Sequence, residues 1–225
     1  MTFQTKKAWI QPLRLLVQVG CVVGCIMGMV SSKQISDWLF PTTLFVGVLF
    51  CGWVCPLGSF QDWAYWVGRK LKLPSFCMPA CVQHYLQLLR YALYLLVTLE
   101  ITFNWLQGTR HMGKLLRGDT ISTAAWCVLG TTFLISLFFK RPFCNYACTG
   151  GARRGLFSVL RLIGIRRNET TCIHCNQCTN ACPMNIDVAN QTFVRHPNCI
   201  GCLSCLSACP KQSISFKHMP PIRKK

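Results

Sequence analysis

Two stretches decide the reading of this chain: CIHCNQCTNACP, Cys172 to Pro183, and CIGCLSCLSACP, Cys199 to Pro210. They repeat one pattern, CxxCxxCxxxCP, at an offset of twenty-seven positions. Three thiolates on one tight loop cap three irons of a cubane cluster, while the fourth, four residues on, faces a second cluster. The ligand sets therefore interleave. Cys172, Cys175, Cys178 and Cys209 are expected to hold one [4Fe-4S] cluster, and Cys199, Cys202, Cys205 and Cys182 the other. A disulfide framework or structural zinc is the bland alternative, but zinc sites need two ligand pairs across a longer gap, without a third cysteine in register.

At 225 residues, with 52% hydrophobic residues and positive mean hydropathy, the chain is too apolar for an ordinary soluble domain and too charged to be all membrane. A membrane part plus a small soluble part fits. Of seventeen cysteines, eight are claimed by clusters that assemble on reduced thiols, which places the cluster end in the cytoplasm. The formal charge is +18. Each cubane with its four thiolates carries about two negative charges, leaving roughly +14. Because Lys and Arg concentrate beside apolar runs without interleaved stacking aromatics, no nucleic acid partner is expected; anionic lipid headgroups and an acidic redox protein are.

Four apolar stretches read as transmembrane spans: Leu13 to Val30, Leu39 to Val54, Tyr85 to Trp105, and Ile121 to Phe139. The first is eighteen residues, about 27 Å as a helix and just long enough to cross the hydrocarbon layer. A cleaved signal peptide is its rival reading, but would leave an odd number of spans. An amino terminus in the cytoplasm puts Lys6, Lys7, Arg14, Arg69, Lys70, Lys72, Lys140 and Arg141 inside, as the positive-inside rule asks. Arg110, Lys114 and Arg117 in the second outer loop break that pattern, so the orientation rests partly on the clusters. Both termini and the cluster domain are then cytoplasmic. After the fourth span, Ala152 to Arg167 reads as a basic amphipathic helix suited to the headgroup plane.

That sidedness brings together FCGWVCPLG, with Cys51 and Cys55, and FCNYACTGG, with Cys144 and Cys148. Residues four apart share a helix face, so each CxxxC is expected to present two sulfurs in one direction. Two such pairs supply four thiolates for a third cluster, a redox-active dithiol or another thiophilic metal. Against this stands cysteine as a small apolar helix residue, the reading given to Cys21, Cys25 and Cys127.

The combination of CGWVCPLG after a second span, a later CxxxC after a fourth, and paired bacterial-type ferredoxin runs resembles the NapH-type membrane ferredoxins of periplasmic nitrate reductase systems. NosR-like and CcoG-like proteins share the architecture. The resemblance runs from the first span to Pro210. It implies a membrane-bound iron–sulfur component that exchanges electrons between the quinone pool, or a membrane partner, and another redox protein, in the manner of a quinol dehydrogenase subunit. It carries the family's cysteine motifs onto Cys51, Cys55, Cys144 and Cys148, and its cluster ligands onto the eight ferredoxin cysteines. Thr149 follows Cys148 where the family's second motif usually has Pro, and there is no room for the flavin-binding domain of NosR-like proteins. A CcoG-like copper reductase and a redox-sensing regulator are the alternative functions.

The expected fold is mainly α: a four-helix transmembrane domain at 1–148 and a basic amphipathic helix or linker at 149–168. An α+β two-[4Fe-4S] ferredoxin domain follows at 169–218, then a basic tail at 219–225. Cys77 and Cys81 form another CxxxC, but Pro79 between them argues for a loop. Glu100, the one acidic residue well inside an expected span, is a candidate for a proton step in quinol chemistry. His84 and His111 lack a haem motif, so no haem is expected, and His174 lies in a cluster loop whose four cysteines complete the site. Two cubanes predict about eight irons and eight acid-labile sulfides per chain, and a third cluster about twelve of each. Iron and sulfide assays on the purified protein decide between them, and a count near one metal per four cysteines would overturn both.

Overall fold

The computed structural model describes residues 9–29, 32–99 and 108–218. Lys6, Lys7, Val30, Glu100, Asn104, Trp105 and the tail at 219–225 lie outside the described residues, as do the side chains of Lys33, Cys81 and Arg110. The described chain is mainly helical, with one two-stranded sheet in its C-terminal region. The first apolar stretch forms α1, Ile10–Ile26, about 25 Å long.

The second stretch does not form one helix. After α2, Ser32–Trp38, and α3, Thr42–Val46, Gly47 takes a left-handed φ of 89° and stops the helix; a single π-helical turn follows at Phe50–Val54. Pro56 then opens α4, Pro56–Lys70, where its missing N–H costs nothing. Of the described residues of the third stretch, those up to Thr98 lie in α5, Ala80–Thr98, and α6 spans Gly108–Leu116. The fourth forms α7, Thr123–Ser136, which starts where the Ser122 hydroxyl accepts from the Ala125 N–H. Two short helices carry the second CxxxC region, α8 at Pro142–Tyr146 and α9 at Thr149–Ser158.

The expected helix from Ala152 to Arg167 is corrected by the strand that occupies its second half. After α9 ends at Ser158, Ile163–Arg167 forms β1, antiparallel to β2, Ile214–His218, with Ile163 opposite His218 and Arg167 opposite Ile214. Pairing with the distant β2 decides this. Ile165 and Arg167 point inward and Arg166 outward, the period of a strand. Between the strands lie both ferredoxin runs, with the one-turn helices α10, Gln177–Asn180, and α11, Ser204–Ala208.

The long helices are inside out relative to a water-soluble bundle. On α1 the buried residues include Arg14 and Gln18, while Leu13, Leu16, Val19 and Val23 are exposed. On α5 the buried residues include Gln83, Gln87 and Arg90, while Leu88, Leu89 and Leu95 are exposed. Trp126, Leu134 and Ile135 face outward on α7. No helix among the described residues is long and apolar enough to cross a membrane.

One ion cluster ties α1 to α4 and to the start of α8. Asp62 of α4 accepts from Arg141 Nε at 2.7 Å and Arg141 Nη2 at 2.6 Å, and also from Arg14 of α1. Arg14 in turn donates to the Gly52 carbonyl oxygen at 2.8 Å, and Arg141 to that of Cys51 at 2.6 Å. Arg14 is thus an interior anchor, whereas the sequence placed it among the cytoplasmic flanking charges. Burial alone would raise the Asp62 pKa, but the Arg141 charge and hydrogen bonds, joined by Arg14 and Gln18, outweigh it and hold the carboxyl below its ordinary 3.8. The stability it confers is therefore complete above pH 3.8 and lost as pH falls through the lower folded value. Asp62→Asn is expected to cost about 3 kcal/mol, because Arg141, only 1% exposed, loses its counter-charge. The variant's thermal midpoint at pH 7 should fall, and its stability should vary less with pH below 3.8 than that of the unmodified chain; an unchanged midpoint would contradict the anchor role.

Candidate metal centres

The ferredoxin runs wrap two cavities. Cys172, Cys175, Cys178 and Cys209 line the first, a recess of about 340 Å³ including its mouth, and Cys182, Cys199, Cys202 and Cys205 line the second, of about 370 Å³. Each cavity draws three cysteines from one run and one from the other. The sequence repeat is a backbone repeat as well. His174 matches Gly201 and Asn176 matches Leu203 within the runs, Asn185 matches Gln212 two residues beyond each run, and all six have positive φ between 50° and 60°. Five of them are not glycine. A left-handed conformation costs such residues roughly 1–2 kcal/mol each, a strain the loops hold in order to curl around their cavities.

The two cavities differ in surroundings. The second is walled by buried Ile165, Met184, Ile186, Val188, Val194 and Ile200. Burial pushes the Cys182 thiol up to about 12, with Cys202 and Cys199 adding, and pushes Cys205 well above its ordinary value. The first cavity opens outward beside exposed Ile173, His174, Cys175 and Lys211. There the His174 backbone N–H, aided by Arg167, lowers the Cys172 pKa. The second, inner site is enclosed by buried apolar side chains, and the first, outer one carries exposed residues on its rim.

Cys51, Cys55, Cys144 and Cys148 are all buried and belong to one core cluster. They do not sit on continuous helical faces, which corrects the local geometry expected for CxxxC. Each motif instead crosses a break: Cys51 lies in the π-helical turn and Cys144 in α8, whereas Cys55 and Cys148 are extended residues capping the N-termini of α4 and α9. Both breaks close the same way. The Cys55 N–H donates to the Phe50 carbonyl and the Cys148 N–H to that of Phe143, each at 2.9 Å, five residues back. Burial raises the Cys55 thiol far above its ordinary value, with Cys51, Cys144 and Cys148 adding, and pushes Cys144 up to about 12 against the pull of Arg141. Mutual influence of this kind means the four sulfurs share one neighbourhood. Among the described residues, no three His, Cys, Asp or Glu side chains are placed to grip a single metal ion. Cubane ligands stand farther apart, since each binds a different iron.

Several residues around this third site went unread in the sequence. Gln61, fully buried on α4, donates to Cys144 Sγ at 3.2 Å and accepts from the Phe143 N–H at 3.1 Å. Gly151 N–H donates to Cys148 Sγ at 3.3 Å. A sequence signal for part of this existed: both motifs are F-C-x3-C-x2-G, and the glycine three residues after the second cysteine matches at Gly58 and Gly151. Cys77 is exposed in the loop before α5, Cys25 is buried on α1, and Cys127 is exposed on α7.

A family described as a 4Fe-4S binding domain matches residues 38–74 and 123–166, the segments that carry the two CxxxC motifs, and a 4Fe-4S dicluster domain matches 164–210. Among relatives, NapH of Haemophilus influenzae is 28% identical over 62% of this chain and 50% of its own, and NosR of Stutzerimonas stutzeri is 29% identical over 60% of this chain and 20% of its own. The chain is a distant homologue of these ferredoxin-type proteins. YccM of Escherichia coli is 30% identical over 65% of this chain and 44% of its own. The chain thus spans half or less of the length of these relatives, and no solved structure matches it. It is an iron–sulfur protein, mainly helical, with a C-terminal dicluster region.

The inner cavity and the third site meet directly. Trp53 Nε1 donates to the Gly201 carbonyl at 3.0 Å, and Gln11 Nε2 to that of Cys202 at 3.4 Å. Gly52 is the contact point: a Cβ there would collide with the Ile200 carbonyl oxygen and stand 3.3 Å from the Cys202 nitrogen. Backbone cannot swing aside as a flexible side chain does. Gly52→Val is expected to cost about 1–3 kcal/mol or more and to loosen the loop of Cys199 to Cys205. Hydrogen exchange of the 199–205 amides should then accelerate, and exchange at the unmodified rate would show that the contact is not tight.

Proposed function

We propose that the chain is a membrane-embedded electron carrier in which the two ferredoxin cavities hold [4Fe-4S] clusters and the CxxxC quartet holds a third. The observation that carries this reading is two cavities walled by four cysteines each, with a third set of four buried cysteines in backbone contact with the inner one. Each donor set fits a cubane in number and in softness. Such clusters, when bound, accept and release single electrons without large rearrangement. The protein's own residues hold the sites at fixed separation, keep water from the inner two, and leave Cys172 and Cys175 at an outer face where a redox protein docks.

Membrane embedding is supported by the inverted helix faces. A helix that buries Arg14 and Gln18 while exposing Leu13, Leu16 and Val19 suits hydrocarbon, not water. The exposed apolar rows of α1, α5 and α7 are read as lipid-facing, in a cytoplasmic membrane with the ferredoxin domain on the cytoplasmic side. Electrons then pass one at a time between the quinone pool or a membrane partner and another redox protein. The carrying cysteines are Cys172, Cys175, Cys178 and Cys209 for the outer centre and Cys182, Cys199, Cys202 and Cys205 for the inner. Cys51, Cys55, Cys144 and Cys148 form the centre nearest the helices.

Cys51→Ser and Cys144→Ser test the relay. Each is expected to leave the two ferredoxin clusters reducible, remove about four irons per chain, and slow reduction of the remaining clusters by membrane quinol at least tenfold. Unchanged rates with intact ferredoxin spectra would exclude the third site from the path. Recovery of the chain in the soluble fraction after detergent-free lysis would overturn membrane embedding.

A further inference from the structure

Each CxxxC motif ends at a helix N-terminus, and each of those ends meets an arginine from elsewhere in the chain. Arg141 donates to the Cys51 carbonyl at 2.6 Å, with Nη1 standing 3.2 Å from the place a Cβ would take at Gly58. Arg90 of α5 donates to the Cys148 carbonyl at 3.1 Å and lies against Gly151, where any side chain would collide with its guanidinium. Glycine at the third position after each second cysteine thus makes room for a cation beside the thiols. A third guanidinium, that of Arg154, lies 4.6 Å from the ring centroid of Phe50, the residue before Cys51.

These cations are compensated unequally. Arg141 shares the Asp62 carboxylate with Arg14. Arg90 is 2% exposed and donates to two neutral oxygens, the Cys148 carbonyl and, at 3.0 Å, Asn198 Oδ1. Asn198 also accepts from the Tyr91 hydroxyl at 3.0 Å, which fixes its amide oxygen toward α5. Among the described residues no carboxylate pairs with Arg90 or Arg154. The N-termini of α4 and α9 add partial positive charge to the same place. Burying a guanidinium without a counter-charge is strongly unfavourable. Four protonated thiols offer none, whereas four thiolates around a cubane carry about two net negative charges.

We infer that Arg90 and Arg154 are the counter-charges of an anionic centre held by Cys51, Cys55, Cys144 and Cys148, and that Arg90 tunes how readily that centre takes an electron. The inference rests on the reading that a cubane occupies this site. Arg90 acts as a positioning residue: its guanidinium touches the Cys148 backbone and Asn198, and its fixed charge favours the more negative, reduced form. When a reductant such as dithionite gives up one electron, the site gains one negative charge, and a neighbouring cation stabilises that state over the oxidised one. Because Arg90 also bonds to Asn198, directly before Cys199, it ties the third site to the start of the inner cluster loop.

The test is a dithionite titration of the purified full chain in detergent, followed by paramagnetic resonance, for Arg90→Gln, Arg154→Gln and Arg90→Lys beside the unmodified protein. With about twelve irons retained, Arg90→Gln should lower the reduction equilibrium constant of one centre about tenfold, a shift of about 59 mV for a one-electron couple, and leave the outer centre unmoved. Arg154→Gln should shift the same centre in the same direction. Arg90→Lys, which keeps the charge, should return the midpoint most of the way. Full iron content with unmoved midpoints in both glutamine variants would overturn the counter-charge role. An unmodified chain with about eight irons, none lost in Cys51→Ser, would overturn the occupancy reading and this inference with it. If Arg90→Gln does not accumulate, Arg154→Gln and Arg90→Lys still decide.

Discussion

The structure depends on how it buries positive charge. Asp62, whose side chain is 23% exposed, holds the guanidinium groups of Arg14 and Arg141 from two separate parts of the chain, and those groups reach on to the carbonyls of Gly52 and Cys51. A carboxylate between two arginines costs desolvation, which the three arginine hydrogen bonds to it and the mutual attraction offset. The result is a rigid bracket around the π-helical turn. That turn carries Cys51, presents Gly52 to the Cys202 loop, and sends the chain into α4.

The two cysteine patterns solve the same problem in different ways. The ferredoxin runs curl by placing four residues, His174, Asn176, Gly201 and Leu203, at positive φ, so that three sulfurs of a short loop face one cavity. The CxxxC motifs turn at helix boundaries instead. Their second cysteines sit in extended geometry, with a backbone bond to a phenylalanine carbonyl five residues back. Both devices are duplicated, and the duplication is visible as matched positions: His174 with Gly201, Cys55 with Cys148, Gly58 with Gly151. Surroundings then separate the members of each pair. The inner ferredoxin cavity is walled by buried side chains and touches the third site; the outer one has exposed residues on its rim.

Burial on the long helices runs opposite to that of a water-soluble bundle, and this explains a disagreement between the linear and folded readings. Apolar runs in the sequence suggest four uninterrupted spans. In the structure Arg14, Gln18, Gln83, Gln87 and Arg90 are buried on the inner helix faces, and the second stretch breaks at Gly47 and Pro56. Polar inner faces shorten the purely apolar length of each helix while leaving an apolar outer face.

The sequence by itself determined the iron–sulfur character, because ligand spacing within a loop is a local property that CxxCxxCxxxCP writes directly into the chain. It also singled out Cys51, Cys55, Cys144 and Cys148 as a candidate second set, and showed the likeness to NapH-type proteins. Tertiary structure alone decided that Ile163 to Arg167 is a strand, since its partner β2 lies about fifty residues away. It alone decided that Arg14, Arg90 and Arg141 point inward, because whether a cation faces solvent or an interior carbonyl depends on which distant helix lies against it. Contact between Gly52 and Cys202 belongs to the same class: local pattern names the ligands, and long-range packing sets what surrounds them.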